Sequence, residues 1–168
     1  MTGTPACLSR SAIKLVNGVA LIPDEQRGHP VGGSGPKYDH LSELGQPTVG
    51  DFEAQTATAT AVDAAIPLNC DNNGGTADGA LLYSIAVFSV GSGAQRFVGL
   101  ITPHQQTAAT LPTLLSNVTM TPGLITVTED WYGPHDPTCC PSGTAQTMWR
   151  YAGGSLTYAG TRIVTQSR

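Results

Sequence analysis

Hydrophobic and polar residues alternate most regularly in the middle and at the C-terminal end of the chain, and the alternation predicts β-strands. Residues 81–90 are apolar at both sets of alternating positions, which favours a strand inside a sheet that is covered on both faces. Gly91-Ser92-Gly93 predicts a turn that leads into a returning strand. The predicted strands span residues 52–62, 81–90, 97–101, 124–132 and 144–151.

The sequence around Gly153-Gly154 predicts a tight hairpin with a defined register. Glycine tolerates the positive φ angles that two-residue hairpin loops require. With these glycines as the loop, Trp149 lies opposite Tyr158 and Tyr151 lies opposite Leu156. The four apolar residues then share one face of the hairpin.

Two other segments carry a weaker helical pattern. Residues 9–18 predict a short helix, with a serine to cap its start and Asn17-Gly18 to end it. Residues 103–116 favour one or two helical turns, which Pro112 interrupts. The predicted fold class is therefore α+β, a mainly antiparallel β-sheet with one or two short helices. The turn formers at 28–37 predict a flexible Gly/Pro-rich loop within a single domain over residues 1–168.

The composition excludes two classes of protein. Charged residues make up 12% of the chain, about half the usual ~25%, and the formal net charge is −4. No cluster of lysine or arginine is present, so we do not expect a nucleic-acid partner. No apolar run approaches the ~18 residues that a membrane span needs, so we expect no transmembrane segment.

The four cysteines favour an exported, disulfide-stapled domain. They are Cys7, Cys70, Cys139 and Cys140, an even number without the ligand pairs spaced by two to four residues that are typical of zinc sites. Adjacent cysteines bond to each other only across a strained peptide. We therefore expect Cys139 and Cys140 each to pair with one of the two distant cysteines, with both such connectivities open.

Three motifs follow one another between about residues 60 and 164. Cys70 precedes a Gly/Asp turn and an apolar strand; Asp-Pro-Thr-Cys-Cys-Pro-Ser occupies residues 136–142 after a strand that ends in tryptophan; Trp149-Arg150-Tyr151 precedes the Gly-Gly turn. In these features the chain resembles the LppP/LprE family of actinobacterial cell-envelope lipoproteins. The resemblance implies an exported protein at the cell envelope, and only Cys70, Cys139 and Cys140 carry over as motif positions.

A weak metal-binding pattern follows Cys70. Asp71, Asn73, Gly75 and Asp78 are similar to the opening of a calcium loop, with oxygen ligands at alternate positions. The terminal glutamate of such a loop is absent, and Asx-turn hydrogen bonding explains the same residues. Asp71, Asn73 and Asp78 are weak candidate calcium ligands, and we expect no cofactor and no transition-metal site.

Evidence for catalysis is sparse. The sequence contains neither a Gly-x-Ser-x-Gly nucleophile elbow nor a Ser-x-x-Lys motif, and the cysteine pair lacks the Cys-x-x-Cys spacing of redox enzymes. Glu129, Asp130 and Asp136 are candidate carboxylates for glycoside chemistry, which requires a defined separation in space. A small extracellular hydrolase that uses a carboxylate near Asp130 is therefore an alternative function.

The sequence favours a binding role over catalysis. Most large aromatic residues cluster in the C-terminal part, where we expect them to form core rather than an exposed platform. The loops at 28–37, 71–79 and 133–143 are the candidate contact regions, with Tyr132 and His135 as candidate partner-binding residues. We expect a secreted or cell-envelope binding or accessory domain with a protein or glycan partner. A purely structural subunit of an envelope complex is the third alternative.

Overall fold

The computed structural model describes residues 16–17, 19–23, 38–43, 45–52, 63–71, 82–89, 95–105 and 111–165. Within these residues every regular element is a β-strand, and no helix is present that is long and apolar enough to cross a membrane. The strands are β1 Val19–Pro23, β2 Tyr38–Glu43, β3 Thr48–Gly50, β4 Asp63–Asp71, β5 Leu82–Ser89, β6 Arg96–Ile101, β7 Leu114–Thr121, β8 Leu124–Trp131, β9 Gly143–Ala152 and β10 Ser155–Thr165.

The strands form two antiparallel sheets that pack face to face. The N-terminal sheet has the order β1-β2-β4-β5-β6, with β3 also paired to β4, and the C-terminal sheet has the order β10-β9-β8-β7. Buried residues from both sheets form one core cluster, with Ile85 and Val87 from β5 against Ile125 and Val127 from β8. The fold described by these strands is therefore a β-sandwich.

Strands β8 and β9 show why this sequence forms a half-buried sheet. Along β8, Ile125, Val127, Glu129 and Trp131 are buried, and the residues between them are half-buried. Because side chains alternate between the faces of a strand, one face of the sheet carries the core residues and the other faces away from the core. Glu129 is the one charged residue on the inward face of β8, and it is fully buried.

The predicted Gly153-Gly154 hairpin is confirmed. Both glycines have positive φ angles, 60° and 83°, as a tight two-residue turn requires. Trp149 pairs with Tyr158 and Tyr151 pairs with Leu156, in the register expected from the sequence.

The predicted strands at 81–90 and 97–101 are also confirmed, as β5 and β6. Strand β5 lies between β4 and β6 in the N-terminal sheet. Its inward face joins the main core, while Ala86 on its outward face packs with Leu68 and Cys70 in a second apolar cluster. Both faces of β5 thus contact apolar side chains, which explains the continuous hydrophobic run in the sequence.

Three outer strands of the described sheets are irregular, whereas the outer strand β1 pairs with β2 without a register shift. Strands β6, β7 and β10 each pair on one side only, and the pairing register shifts once along β6, once along β7 and twice along β10. The shift in β7 follows Ser116 and lies next to Asn117, which has a positive φ of 48°. One shift in β10 lies next to Gly160, whose φ is 149°.

The helical predictions are wrong where the structure describes them. Residues 114–116, assigned to helical turns from the sequence, begin strand β7. From residue 117 the exposure alternates, with Val118 and Met120 turned inward, and pairing with β8 supplies the backbone hydrogen bonds. Of the predicted helix at 9–18 the structure describes only Val16 and Asn17, which form a bridge and a turn. The loop at 28–37, the strand at 53–62 and the turn at 91–93 lie outside the described residues.

The expected disulfide connectivity is also wrong. Cys139 and Cys140 bond to each other, and Cys70 is disulfide-bonded as well, so neither member of the pair is its partner. Cys70 is buried in the outer cluster of the N-terminal sheet, whereas Cys139 and Cys140 lie exposed in the connection between β8 and β9. The geometric argument against a bond between adjacent cysteines therefore does not hold for this loop.

Candidate functional site

The segment that joins β8 to β9 is the candidate functional site. We call residues 132–142 the disulfide loop. Two backbone hydrogen bonds form turns within it, from Asp136 N to Gly133 O at 3.3 Å and from Cys140 N to Pro137 O at 3.0 Å. The Tyr132 hydroxyl donates to the carbonyl oxygen of Thr138 at 3.0 Å. The loop therefore has a defined conformation rather than an extended path.

Asp136 ties the two ends of the disulfide loop together. Its Oδ2 atom accepts hydrogen bonds from Gly133 N at 2.6 Å and from Ser142 N at 2.8 Å. The hydrogen bond from Gly133 N, together with that from Ser142, holds the pKa of the Asp136 carboxyl below its ordinary value, because both favour the ionised form. The neighbouring His135 acts in the same direction through its charge.

The two candidate partner-binding residues lie in different environments. Tyr132 is buried, and its hydroxyl supports the loop from within. It also lies close to Tyr83 of β5, whose pKa is raised by burial and further by the charge of Tyr132. His135 is exposed, as are Cys139 and Cys140. His135 is thus free to contact a partner, whereas Tyr132 positions the surface that would do so.

The three candidate carboxylates do not converge. Glu129 and Asp130 are adjacent on β8, so their side chains lie on opposite faces of the sheet. Asp130 Oδ1 accepts a hydrogen bond from the Thr144 hydroxyl at 2.8 Å on the outward face. Asp136 is engaged within the disulfide loop. The structure therefore gives each of these carboxylates a separate local partner.

Glu129 holds a second exposed feature that the sequence analysis missed. Its Oε2 atom accepts hydrogen bonds from His104 N at 2.9 Å and from Gln105 N at 2.7 Å. The His104 ring then stacks on the Tyr158 ring, with centroids 3.7 Å apart and planes 10° from parallel. The edge of Trp149 contacts both rings. A buried carboxylate thus fixes an exposed aromatic pair, which we call the His104–Tyr158 stack.

One sequence signal pointed to this arrangement. Glu129 continues the inward-facing series that begins with Ile125 and Val127, and a charged residue at a core position requires partners. The partners, the amides of His104 and Gln105, lie 25 and 24 residues before Glu129 in the sequence, and no local sequence pattern specifies contacts over such a separation.

The calcium candidates are described only in part. Asp71 is the last residue of β4 and pairs with His40, while Asn73 and Asp78 lie outside the described residues. In the part of the chain that the structure describes, no group of three or more His, Cys, Asp or Glu residues is arranged to hold a metal ion.

No protein-family model, no curated protein and no solved structure matches this chain.

Proposed function

We propose that this chain is an exported, non-catalytic binding domain of the cell envelope, and that the disulfide loop contacts its protein or glycan partner. The observation that carries the proposal is the rigidity of an exposed loop. Asp136 and Tyr132 support it from its base, and His135 with the cysteine pair faces outward. A loop already held in one conformation loses less entropy when it binds, so more of the contact energy remains as affinity.

The oxidised cysteines support the exported location. The disulfide between Cys139 and Cys140 and the oxidised state of Cys70 suit an oxidising compartment, where such bonds persist.

The positions of the carboxylates favour binding over hydrolysis. Glycoside hydrolysis needs two carboxyl groups on either side of one substrate bond. Glu129 is fully buried and holds backbone amides, and Asp136 accepts amide hydrogen bonds inside its own loop. Of the three candidate carboxylates, only Asp130 then remains for the hydrolase alternative, and it accepts a hydrogen bond from Thr144.

The proposal is tested by capture with a variant of the exposed loop. Wild-type domain, His135→Ala and a control variant are immobilised and incubated with cell-envelope material, and the bound proteins and glycans are identified by mass spectrometry. The control is Val49→Ala, because Val49 is 61% exposed in β3. Val49 pairs with Ala64 at one end of β4. Tyr83, which lies close to Tyr132 of the disulfide loop, pairs with Asn69 at the other end of β4, so Val49 lies away from the loop.

We expect His135→Ala to weaken capture of one specific partner by roughly fivefold or more, the effect of losing a contact of about 1 kcal/mol. Val49→Ala should leave capture unchanged, and both substitutions should change stability by less than about 0.5 kcal/mol. Equal capture by all three proteins would contradict the assignment of the loop. Substrate turnover that disappears in a folded Asp130→Asn variant would instead support the hydrolase.

A further inference from the structure

The two cysteines of the disulfide loop differ from Cys70 in their access to solvent. Cys139 and Cys140 are both exposed, whereas Cys70 is only 4% exposed within the outer cluster of the N-terminal sheet. Thiol–disulfide exchange begins with the attack of a thiolate on one sulfur, so its rate depends on the access of the reagent to that sulfur. A reagent therefore has access to the residues at both ends of the Cys139–Cys140 bond, and little access to Cys70.

The contacts that hold the disulfide loop do not pass through the sulfur atoms. Asp136 joins Gly133 to Ser142, and Tyr132 holds Thr138, by hydrogen bonds between nitrogen and oxygen atoms. The disulfide itself joins residues one position apart in sequence. A bond across so short a loop restricts the unfolded chain very little, so it contributes little to the stability of the domain.

From this arrangement we propose that Cys139–Cys140 is a reversible thiol–disulfide exchange site whose substrate class is an external dithiol. Opening the bond changes the exposed tip at residues 137–141 and leaves the sandwich folded. After reduction the two thiols still belong to adjacent residues. Their proximity makes re-formation an intramolecular step, which favours closure when an oxidant returns.

The exchange is balanced in two steps. One thiolate of the dithiol attacks the sulfur of Cys139 or Cys140, the disulfide breaks, and the other cysteine leaves as a thiolate that takes up a proton. The second thiol of the reagent then attacks the mixed disulfide, which releases the remaining cysteine thiol and a cyclic disulfide of the reagent. The protein gains two electrons and two protons, and the dithiol loses them. The exchange involves the loop of the proposed binding function but does not rest on that function, because it is followed by labelling of the thiols and not by capture of a partner.

The test is a titration of the intact protein with dithiothreitol under native conditions. After the same brief exposure at each concentration, free thiols are trapped with N-ethylmaleimide, and peptide mass mapping assigns them. We expect two labels on the peptide that carries Cys139 and Cys140 at a reductant concentration about tenfold or more below that which labels Cys70. Removal of the reductant and addition of oxidised glutathione should restore the disulfide. The circular dichroism spectrum should not change during the cycle.

A double variant, Cys139→Ser with Cys140→Ser, separates this site from the rest of the protein. It should fold with an unchanged melting temperature and should no longer consume dithiol at the low concentration. Labelling of Cys70 at the same concentration as the pair would overturn the proposal. So would unfolding that accompanies reduction, or a double variant that fails to fold, because either would make the bond a structural staple.

Discussion

Replacing Glu129 with alanine should release the residues that position the His104–Tyr158 stack. In the wild-type protein the carboxylate accepts hydrogen bonds from the backbone amides of His104 and Gln105. A hydrogen bond to a charged group contributes about 1.5–3 kcal/mol, so two contribute roughly 3–6 kcal/mol before any compensation. Removing a buried carboxylate also removes its desolvation cost, and water can reach the amide of exposed His104. We therefore expect a net loss of about 2–4 kcal/mol.

Urea denaturation followed by circular dichroism measures this loss, with the slope of the transition compared to confirm that both proteins unfold in the same way. Asp130→Ala is the matched control, because Asp130 neighbours Glu129 on β8 but lies on the opposite face. Glu129→Gln keeps the side-chain length and one acceptor oxygen, so it should lose less than the alanine variant. The ring protons of His104, observed by nuclear magnetic resonance, should move as the stack on Tyr158 loosens.

A loss below about 1 kcal/mol for Glu129→Ala, with the His104 resonances unchanged, would refute this account. The stack would then be held by its ring contacts alone. An equal loss in Asp130→Ala would show that the effect belongs to the strand rather than to the two hydrogen bonds.

Three further predictions concern the core and the disulfide loop. Trp149→Ala should cost about 3–5 kcal/mol in denaturant titration, because the side chain is 7% exposed in the main core, and a loss under about 1 kcal/mol would contradict its place there. Gly143→Ala should cost about 3 kcal/mol or more, since a Cβ atom would overlap the ring of Trp131, which is 4% exposed; a variant as stable as wild type would show that the ring can move aside. Asp136 has a lowered pKa in the folded loop, so its stabilising effect is present above its ordinary value of 3.8 and disappears as the pH falls through the lower folded value. The pH-dependent shift of the Gly133 amide resonance should therefore have its midpoint below pH 3.8, and a midpoint above that value would contradict the hydrogen-bonding account.

Local signals predicted the parts of the fold that depend on neighbouring residues. The Gly153-Gly154 turn fixes the pairing of Trp149 with Tyr158, because a two-residue loop leaves one register that keeps the apolar residues on the same face. Strand β5 was equally predictable, because a run of residues that is apolar on both faces favours a strand inside a sheet that is covered on both sides.

The features that sequence patterns failed to predict depend on the arrangement of the whole chain. The spacing of the cysteines along the sequence does not specify that Cys139 and Cys140 bond to each other while Cys70 bonds elsewhere. The first residues of β7 carry no clear strand pattern, and pairing with β8 decides their conformation. Glu129 was recognised as a carboxylate, but its contacts to the loop after β6 were not.

The irregular outer strands have a consequence for solubility. A straight edge strand with free backbone groups can pair with the edge of another molecule, which is a common route to aggregation. Strand β10 spans 11 residues and exposes Ile163 and Val164, so a regular edge here would be a hazard. The two register shifts in β10 bend the strand and interrupt its row of free backbone amides and carbonyls. Gly160, beside one of these shifts, has a φ angle that other residues rarely adopt. The bulges of β6 and β7 interrupt two further edges, so three of the described outer strands offer a broken row of backbone groups to a neighbouring molecule, whereas β1 pairs with β2 in one continuous register.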